Sequence, residues 1–373
     1  MNQDFKGKLS EKPRILVAPL DWGLGHTTRC VPVIKELLAQ GCDVILAGNE
    51  NQAVLLNKEF PDLQLIHLDG YTIRYSRKAW SLPFRILFQV PSLLKKIKQE
   101  NEWLDNVVKQ YKINAIISDN RYGLYHSSIP SVFLTHQLRI KTNAVKWIEN
   151  FIQKKNYHFI NRFDECWIPD NEFDNSLAGD LSHPRKKPLI DTHFIGVLTR
   201  MQKRDIPVVK KHLLIIISGP EPQRTIFENN IIKQVAHYPG SATIVRGLPE
   251  SKNLIPSTNT ILFYNHLPSH DLNEEMCKAD IVIGRSGYST IMDLAMLGKK
   301  SILIPTPGQT EQEYLAKYLF EKKMAVYFSQ KKFNLLNAIE NASQMNYCFP
   351  EIKQEQIMSK VIKNFLQKIS LYF

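Results

Sequence analysis

The sequence predicts an α/β protein built as two Rossmann-like, doubly wound domains, and three observations carry that prediction. At 373 residues, with 43% apolar and 23% charged side chains, the chain is long enough for two domains with a full core each. Short β-branched runs alternate with helical patterns, and the alternation starts twice, at Arg14 and again at His212. The loops that join each run to the next helix are rich in Gly, Pro and polar residues, as strand-to-helix turns of a parallel sheet require.

Taken in order, residues 1 to 13 read as a polar tail, and Arg14 to Ala18 as a strand. The turn Asp21-Trp22-Gly23-Leu24-Gly25-His26 precedes a helix expected from about Thr28 to Gln40, which Gly41 ends before the strand Asp43 to Ala47. Arg29 stands where the third glycine of a dinucleotide fingerprint would fall, so a nicotinamide cofactor is disfavoured. Ile113 to Ser118 and Ile129 to Leu134 are buried strands that end at Asp119 and at Thr135-His136-Gln137, on the same rim as His26. Asp164 to Ile168 and His193 to Gly196 complete a first domain over 1–196, and 197–211 is a polar linker.

The second domain, 212–348, opens with the strand His212 to Ile217 and the loop Ser218-Gly219-Pro220 leading to Arg224. Ala242 to Val245 and Thr260 to Tyr264 are strands, as is Ile281 to Ile283, which breaks at Gly284-Arg285-Ser286-Gly287. Ser286 or Ser289 is expected to cap the next helix, which Gly298 stops. Ser301 to Ile304 is a strand ending at Pro305-Thr306-Pro307-Gly308, and Tyr314 begins another helix. The remainder, 349–373, is an amphipathic terminal helix.

Composition narrows the partners. Lys and Arg outnumber Asp and Glu by 48 to 36, a net charge of +12 that favours an anionic partner, yet no basic-aromatic module of a nucleic-acid binder is present. The five cysteines show neither pairs nor metal-ligand spacing, and no D-x-D pair offers carboxylates to a metal bridging a diphosphate. The first residues hold no apolar signal core, which points to the cytoplasm. Tyr71 to Gln99 carries seven Lys and Arg, no acidic residue and interleaved aromatics, a mixture suited either to a membrane interface or to a core helix with a basic face that Pro83 and Pro91 would interrupt.

Residues 281–317 supply the sharpest signal. Arg285-Ser286-Gly287 followed by Thr290 and Asp293, then Gly298, Pro305 and Gln312-Glu313-Tyr314, resembles the donor-binding signature of family 28 glycosyltransferases. The resemblance implies the GT-B architecture: two Rossmann-like domains facing a cleft, with the terminal helix crossing back. It implies a uridine diphosphate (UDP) sugar as donor substrate and no cofactor. Asp293 would replace the glutamate that holds the ribose, Gln312 would match one of two glutamines reading the sugar, and Glu313 replaces the other. Arg200, Ser218, Gly219 and Arg224 fall where the family meets the diphosphate, and His266-Leu267 where its backbone receives uracil. Gly23 and Gly25 match the acceptor-side loop.

The expected reaction is inverting transfer of a hexose, favouring an N-acetylhexosamine, to a glycan or lipid-linked acceptor. His26, at a helix N-terminus that disfavours its charged form, is the expected base, with Asp119 and His136 as alternatives. Two rivals share the architecture: a UDP-sugar 2-epimerase, which needs carboxylates at the sugar's C2, and a non-catalytic UDP-sugar-binding scaffold.

Overall fold

The computed structural model describes residues 12–71, 82–142, 145–172, 175–352 and 354–369. Its first sheet is wholly parallel: β1 (Arg14–Pro19), β2 (Asp43–Gly48), β3 (Leu65–His67), β4 (Ala115–Asp119), β5 (Ser131–Leu134), β6 (Glu165–Ile168) and β7 (Asp191–Phe194), in the order β3-β2-β1-β4-β5-β6-β7. Helices α1 (Leu24–Ala39), α2 (Glu50–Glu59), α3 (Leu82–Tyr111) and α4 (Lys146–Ile160) connect its strands. The second sheet repeats the plan with β8 (Val209–Ile216), β9 (Ser241–Val245), β10 (Ile261–Tyr264), β11 (Ala279–Gly284), β12 (Ser301–Leu303) and β13 (Val326–Tyr327), ordered β10-β9-β8-β11-β12-β13. Its connections include α5 (Gln223–Val235), α6 (Ser269–Lys278), α7 (Tyr288–Leu297) and α8 (Thr310–Glu321), and α9 (Leu335–Gln344) and α10 (Gln354–Ile369) follow.

In each sheet the strand order reverses beside the first strand, between β1 and β4 and between β8 and β11. Such a switch point leaves a crevice at the carboxyl ends of the strands. The strands are apolar throughout because both sheet faces are covered: Ile15, Leu16 and Val17 of β1 and Leu213, Leu214 and Ile215 of β8 have no exposed surface. Each such side chain contributes about 1.5–3 kcal/mol of burial. One apolar cluster runs from Ile15 and Ile34 through Tyr288 and Ile291 to Ile362 and Phe365, so the two sheets share a core. In that cluster α10 lies on α1 and β7, with Phe365 edge-on to Trp167.

Several local expectations are corrected. Helix α1 starts at Leu24, four residues early, because Gly23 at φ 84° turns the chain directly into it, and His26 thereby joins the first turn. Neither Ser286 nor Ser289 caps α7, whose N-cap is Gly287. Ser286 Oγ instead donates to the Gln312 carbonyl (2.8 Å), and Ser289 Oγ to the Gly25 carbonyl in the other domain (2.8 Å). Strand β8 begins at Val209, inside the segment expected to be linker.

Pro91 does not interrupt α3, which runs through it for 30 residues. A proline costs a helix one N–H donor and crowds one carbonyl, and neighbouring turns can absorb that. Residues 72–81 of the basic segment lie outside the described residues. No helix among the described residues is long and apolar enough to cross a membrane.

Candidate active site

The site is assembled from the loops at the two switch points. At the first, Asp119 closes β4 with no exposed surface and accepts from His26, Arg29 and the Cys30 thiol. His26 Nδ1 donates to its Oδ2 at 3.0 Å. Arg29, one turn further along α1, donates from Nε to both carboxylate oxygens (3.1 and 3.0 Å) and from Nη2 to Oδ1. The Arg29 guanidinium and the two-sided hydrogen bonding outweigh burial and hold the Asp119 carboxyl down at about 2. Because that carboxylate can only accept, the His26 proton sits on Nδ1 and the Nε2 lone pair is free.

Burial, and then the nearby Arg29 charge, push His26 below the ordinary histidine value, so the ring is neutral at pH 7. The dipole of α1, whose N-terminus disfavours a charged ring, acts in the same direction. In the structure the leading cause is desolvation.

The two alternative bases are parts of the same chain of groups. Asp119 orients His26, and His136 sits behind Arg29, accepting from its Nη1 through Nδ1 at 3.0 Å. His136 Nε2 donates to Glu311 Oε1 in the first turn of α8 (2.9 Å), and its ring stacks on Tyr288 with centroids 4.1 Å apart. Gln137 Nε2 donates to Glu311 Oε2 at 3.0 Å. The roles of Arg29, Tyr288 and Glu311 depend on partners distant in the chain and are not legible in residue type alone. The available signal was a charged residue at 29, on the apolar face of α1 beside Cys30, Val33 and Ile34.

The loop that leads into α1 is tied down from below. Arg121, fully buried, donates from Nε to the Pro19 carbonyl (3.1 Å) and from Nη1 to Glu100 Oε1 (2.6 Å), while Asp21 Oδ1 accepts from the Tyr71 amide (3.0 Å). Gly25 then meets α7 so closely that a Cβ on it would lie 3.0 Å from Ser289 Oγ.

Across the cleft, Arg285 follows β11 and is 2% exposed. Its guanidinium is held by carbonyls: Nη2 donates to Gln223 (2.9 Å), Nη1 to Ile304 (3.1 Å) and Nε to Ser218 (3.4 Å), and it lies 4.4 Å from the Phe227 ring centroid. No carboxylate pairs with it among the described residues, and burial lowers its pKa to about 10. Beside it, Gly219 at φ 105° carries no side chain, and a Cβ there would lie 3.4 Å from Thr306 Oγ1 and 3.8 Å from Arg285 Nε. Thr306 Oγ1 is buried and has no hydrogen-bond partner among the described residues. A buried cation without a carboxylate partner, an unpartnered hydroxyl and a bare backbone turn thus lie together, a combination suited to an anion.

Arg224, Arg200, Asp293, Gln312 and Glu313 each have partners of their own in the protein. Arg224 is committed within its own domain, to Glu221 (2.6 Å), Glu228 (3.0 Å) and the Arg246 carbonyl (3.0 Å). Arg246 in turn holds Asn265 (2.6 Å), which fixes the His266-Leu267 loop. Arg200 pairs with Glu59 of α2 at 3.1 Å, and its charge, with that of Lys58, adds to burial in lowering the His266 pKa. Asp293 accepts from Thr199 Oγ1 at 2.5 Å, and burial raises its carboxyl to about 6. Gln312 Oε1 accepts from the Thr306 amide (2.9 Å) and Glu313 Oε1 from the Gly308 amide (3.1 Å), so both brace the loop after β12. At Gly287 a side chain would meet nothing within 4 Å, and Thr290 lies half-buried in the first turn of α7.

The C-terminal domain model of glycosyltransferase family 28 matches residues 244–369. Over 356 residues, 88% of this chain and 90% of the relative, the sequence is 35% identical to UDP-N-acetylglucosamine--N-acetylmuramyl-(pentapeptide) pyrophosphoryl-undecaprenol N-acetylglucosamine transferase of Bacillus licheniformis. The chain is a family 28 glycosyltransferase. The transferase of the same name from Haemophilus ducreyi is 23% identical to this glycosyltransferase over 85% of the chain and 86% of its own length. In fold, the glycosyltransferase resembles SnogD from Streptomyces nogalater, with a TM-score of 0.61 at 10% identity over 96% of this chain and all of that one. The GT-B architecture of this glycosyltransferase is thus shared with proteins of distant sequence.

Proposed function

We propose that this glycosyltransferase moves an N-acetylhexosamine from a UDP-sugar to a hydroxyl of a lipid-linked or glycan acceptor, with inversion and without a metal. The observation that carries the reading is the His26–Asp119 pair at one switch point together with buried Arg285, the unpartnered Thr306 hydroxyl and the Gly219 turn at the other. His26 Nε2 takes the proton of the acceptor hydroxyl as its oxygen attacks the anomeric carbon. The bond from that carbon to the diphosphate breaks with its electron pair left on the diphosphate, where Arg285 and the first-turn N–H groups of α7 offset the charge. One base and one displacement invert the anomeric centre. The names of the curated relatives, which specify UDP-N-acetylglucosamine and an undecaprenol-linked acceptor, support the donor and acceptor classes.

In this reading Asp293 holds the ribose hydroxyls. UDP at about 100 times its Kd is expected to stabilise the wild type by about 2.7 kcal/mol, and Asp293→Ala to lose most of that shift in a thermal melt. The ionised carboxylate is the acceptor, so UDP affinity is expected to weaken as pH falls below about 6. Stabilisation of wild type and variant by UDP to the same extent would remove Asp293 from the site.

A lipid-linked acceptor brings the enzyme to a membrane surface. Helices α3 and α4 both contribute to one apolar cluster, around Leu20, Tyr71 and Ile97, through Leu93 and Phe159. They present exposed Leu94, Trp147 and Phe151 among Lys95, Lys98, Lys146, Lys154 and Lys155. Apolar side chains set among lysines suit an anionic interface. Flotation with phosphatidylglycerol vesicles is expected, and Trp147→Glu with Phe151→Glu should abolish it. Failure of the wild-type enzyme to float would end this part of the reading.

A further inference from the structure

Glu311 is the carboxylate that crosses the cleft. It belongs to the first turn of α8 in the second domain, yet its two oxygens are engaged by His136 and Gln137 of the first. Behind them the polar chain continues inward through Arg29 to Asp119 and His26. The charged and titratable groups around His136 are Arg29, His26 and Cys30 of α1, Asp119 of β4, Tyr288 of α7 and Glu311 of α8.

The direction of each bond is fixed. The Arg29 guanidinium only donates, so His136 Nδ1 accepts from it and the ring proton lies on Nε2. That proton has its acceptor in Glu311, supplied by the other domain. The flat stack of His136 on Tyr288 sets the ring plane from the same domain, and Tyr288 is itself anchored by donating to the Pro169 carbonyl at 2.8 Å. The tautomer and orientation of His136, and with them the reach of Arg29 toward Asp119, are therefore complete when α7 and α8 stand against the first domain.

We propose that Glu311 is the positioning residue through which the second domain arms the base of the first, so that His26 is competent only when the cleft is closed on the donor. This rests on His26 being the base. The consequence for the chemistry is that an activated donor is not exposed to a poised base while the site is open to water. Glu311 does not touch the reacting atoms in this account. It acts through His136, Arg29 and Asp119.

The test measures steady-state kinetics, a kcat–pH profile and the unfolding midpoint for Glu311→Gln, Glu311→Ala, His136→Gln and His136→Leu. Glu311→Gln and Glu311→Ala are expected to lower kcat by about 10–100-fold, the scale of a displaced catalytic group, with donor KM nearly unchanged. Loss of the negative charge that favours protonated His26 should also move the acid limb of the profile to lower pH. His136→Gln keeps an acceptor for Arg29 and a donor for Glu311 and should retain most of kcat, whereas His136→Leu should behave as Glu311→Ala. A raised donor KM with kcat and the acid limb unmoved would show that Glu311 reads the donor and would overturn the proposal. An unaffected His136→Leu would overturn it too. If His26→Ala keeps full transfer, the base assignment itself falls and this proposal with it, an outcome distinct from the two before.

Discussion

Replacing His26 by Ala is expected to lower kcat by about 10²–10⁴-fold, the usual contribution of a positioned base, while UDP still stabilises the protein as it does the wild type. The separation of the two effects follows from the geometry. His26 stands on the first domain, with its Nδ1–H spent on Asp119 and its Nε2 free, whereas Arg285 and the unpartnered Thr306 hydroxyl lie on the second domain. The wild-type profile should show kcat falling on the acid side through a pKa below the ordinary histidine value, because burial and Arg29 both oppose protonation of the ring. That limb should vanish in His26→Ala. The assay is run in chelator, and activity that survives there agrees with a displacement assisted by side chains and helix N-termini. Unchanged turnover by His26→Ala would refute the assignment of the base, and UDP binding with no transfer by the wild type would leave a scaffold.

Asp119→Ala is expected to be the most destabilising single change at the site, by about 3–5 kcal/mol, because it leaves a buried guanidinium without its carboxylate. Arg29 is 2% exposed and Asp119 fully buried, so water cannot replace the lost partner. Urea unfolding of the variant beside Asp119→Asn measures this, and the amide, which keeps the shape and part of the hydrogen bonding, should cost less. The pH dependence has a definite sign. A carboxyl depressed to about 2 in the folded chain contributes stability above its unfolded value near 4, and that contribution is lost as pH falls from about 4 to about 2. Wild type should show this acid loss and Asp119→Ala should lack it. Equal stability of the two proteins at pH 7 would mean that Arg29 finds another partner.

Much of the architecture was legible because strand and helix periods are local. The runs at Arg14, Asp43, Thr260 and Ile281 all became strands of parallel sheets, and Gly298 ends α7 in a left-handed conformation at φ 63°. What the sequence could not reveal depended on partners distant in the chain. Ser286 and Ser289 have the right chemistry to cap α7 but spend their hydroxyls on Gln312 and Gly25, 26 and 264 residues away. Arg29 was read for what it is not, a glycine, while its role is set by Asp119, 90 residues on. Arg224 looked like a diphosphate ligand in a glycine-turn loop, yet Glu221 and Glu228, at i−3 and i+4 on and beside its own helix, satisfy it first. In each case the competing bond lies across the fold or along a helix, where residue type alone does not rank partners.

Gly25 has an ordinary backbone conformation and needs no glycine for its own sake. Its hydrogen faces Ser289, whose hydroxyl reaches the Gly25 carbonyl from the opposite domain. An alanine there would bring one methyl to 3.0 Å of that oxygen, closer than side-chain carbons ordinarily approach, with a helix of each domain standing behind the contact. The width of the cleft is therefore gauged by a single missing carbon, and residue size at position 25 acts as a shim between two bodies rather than as a property of either.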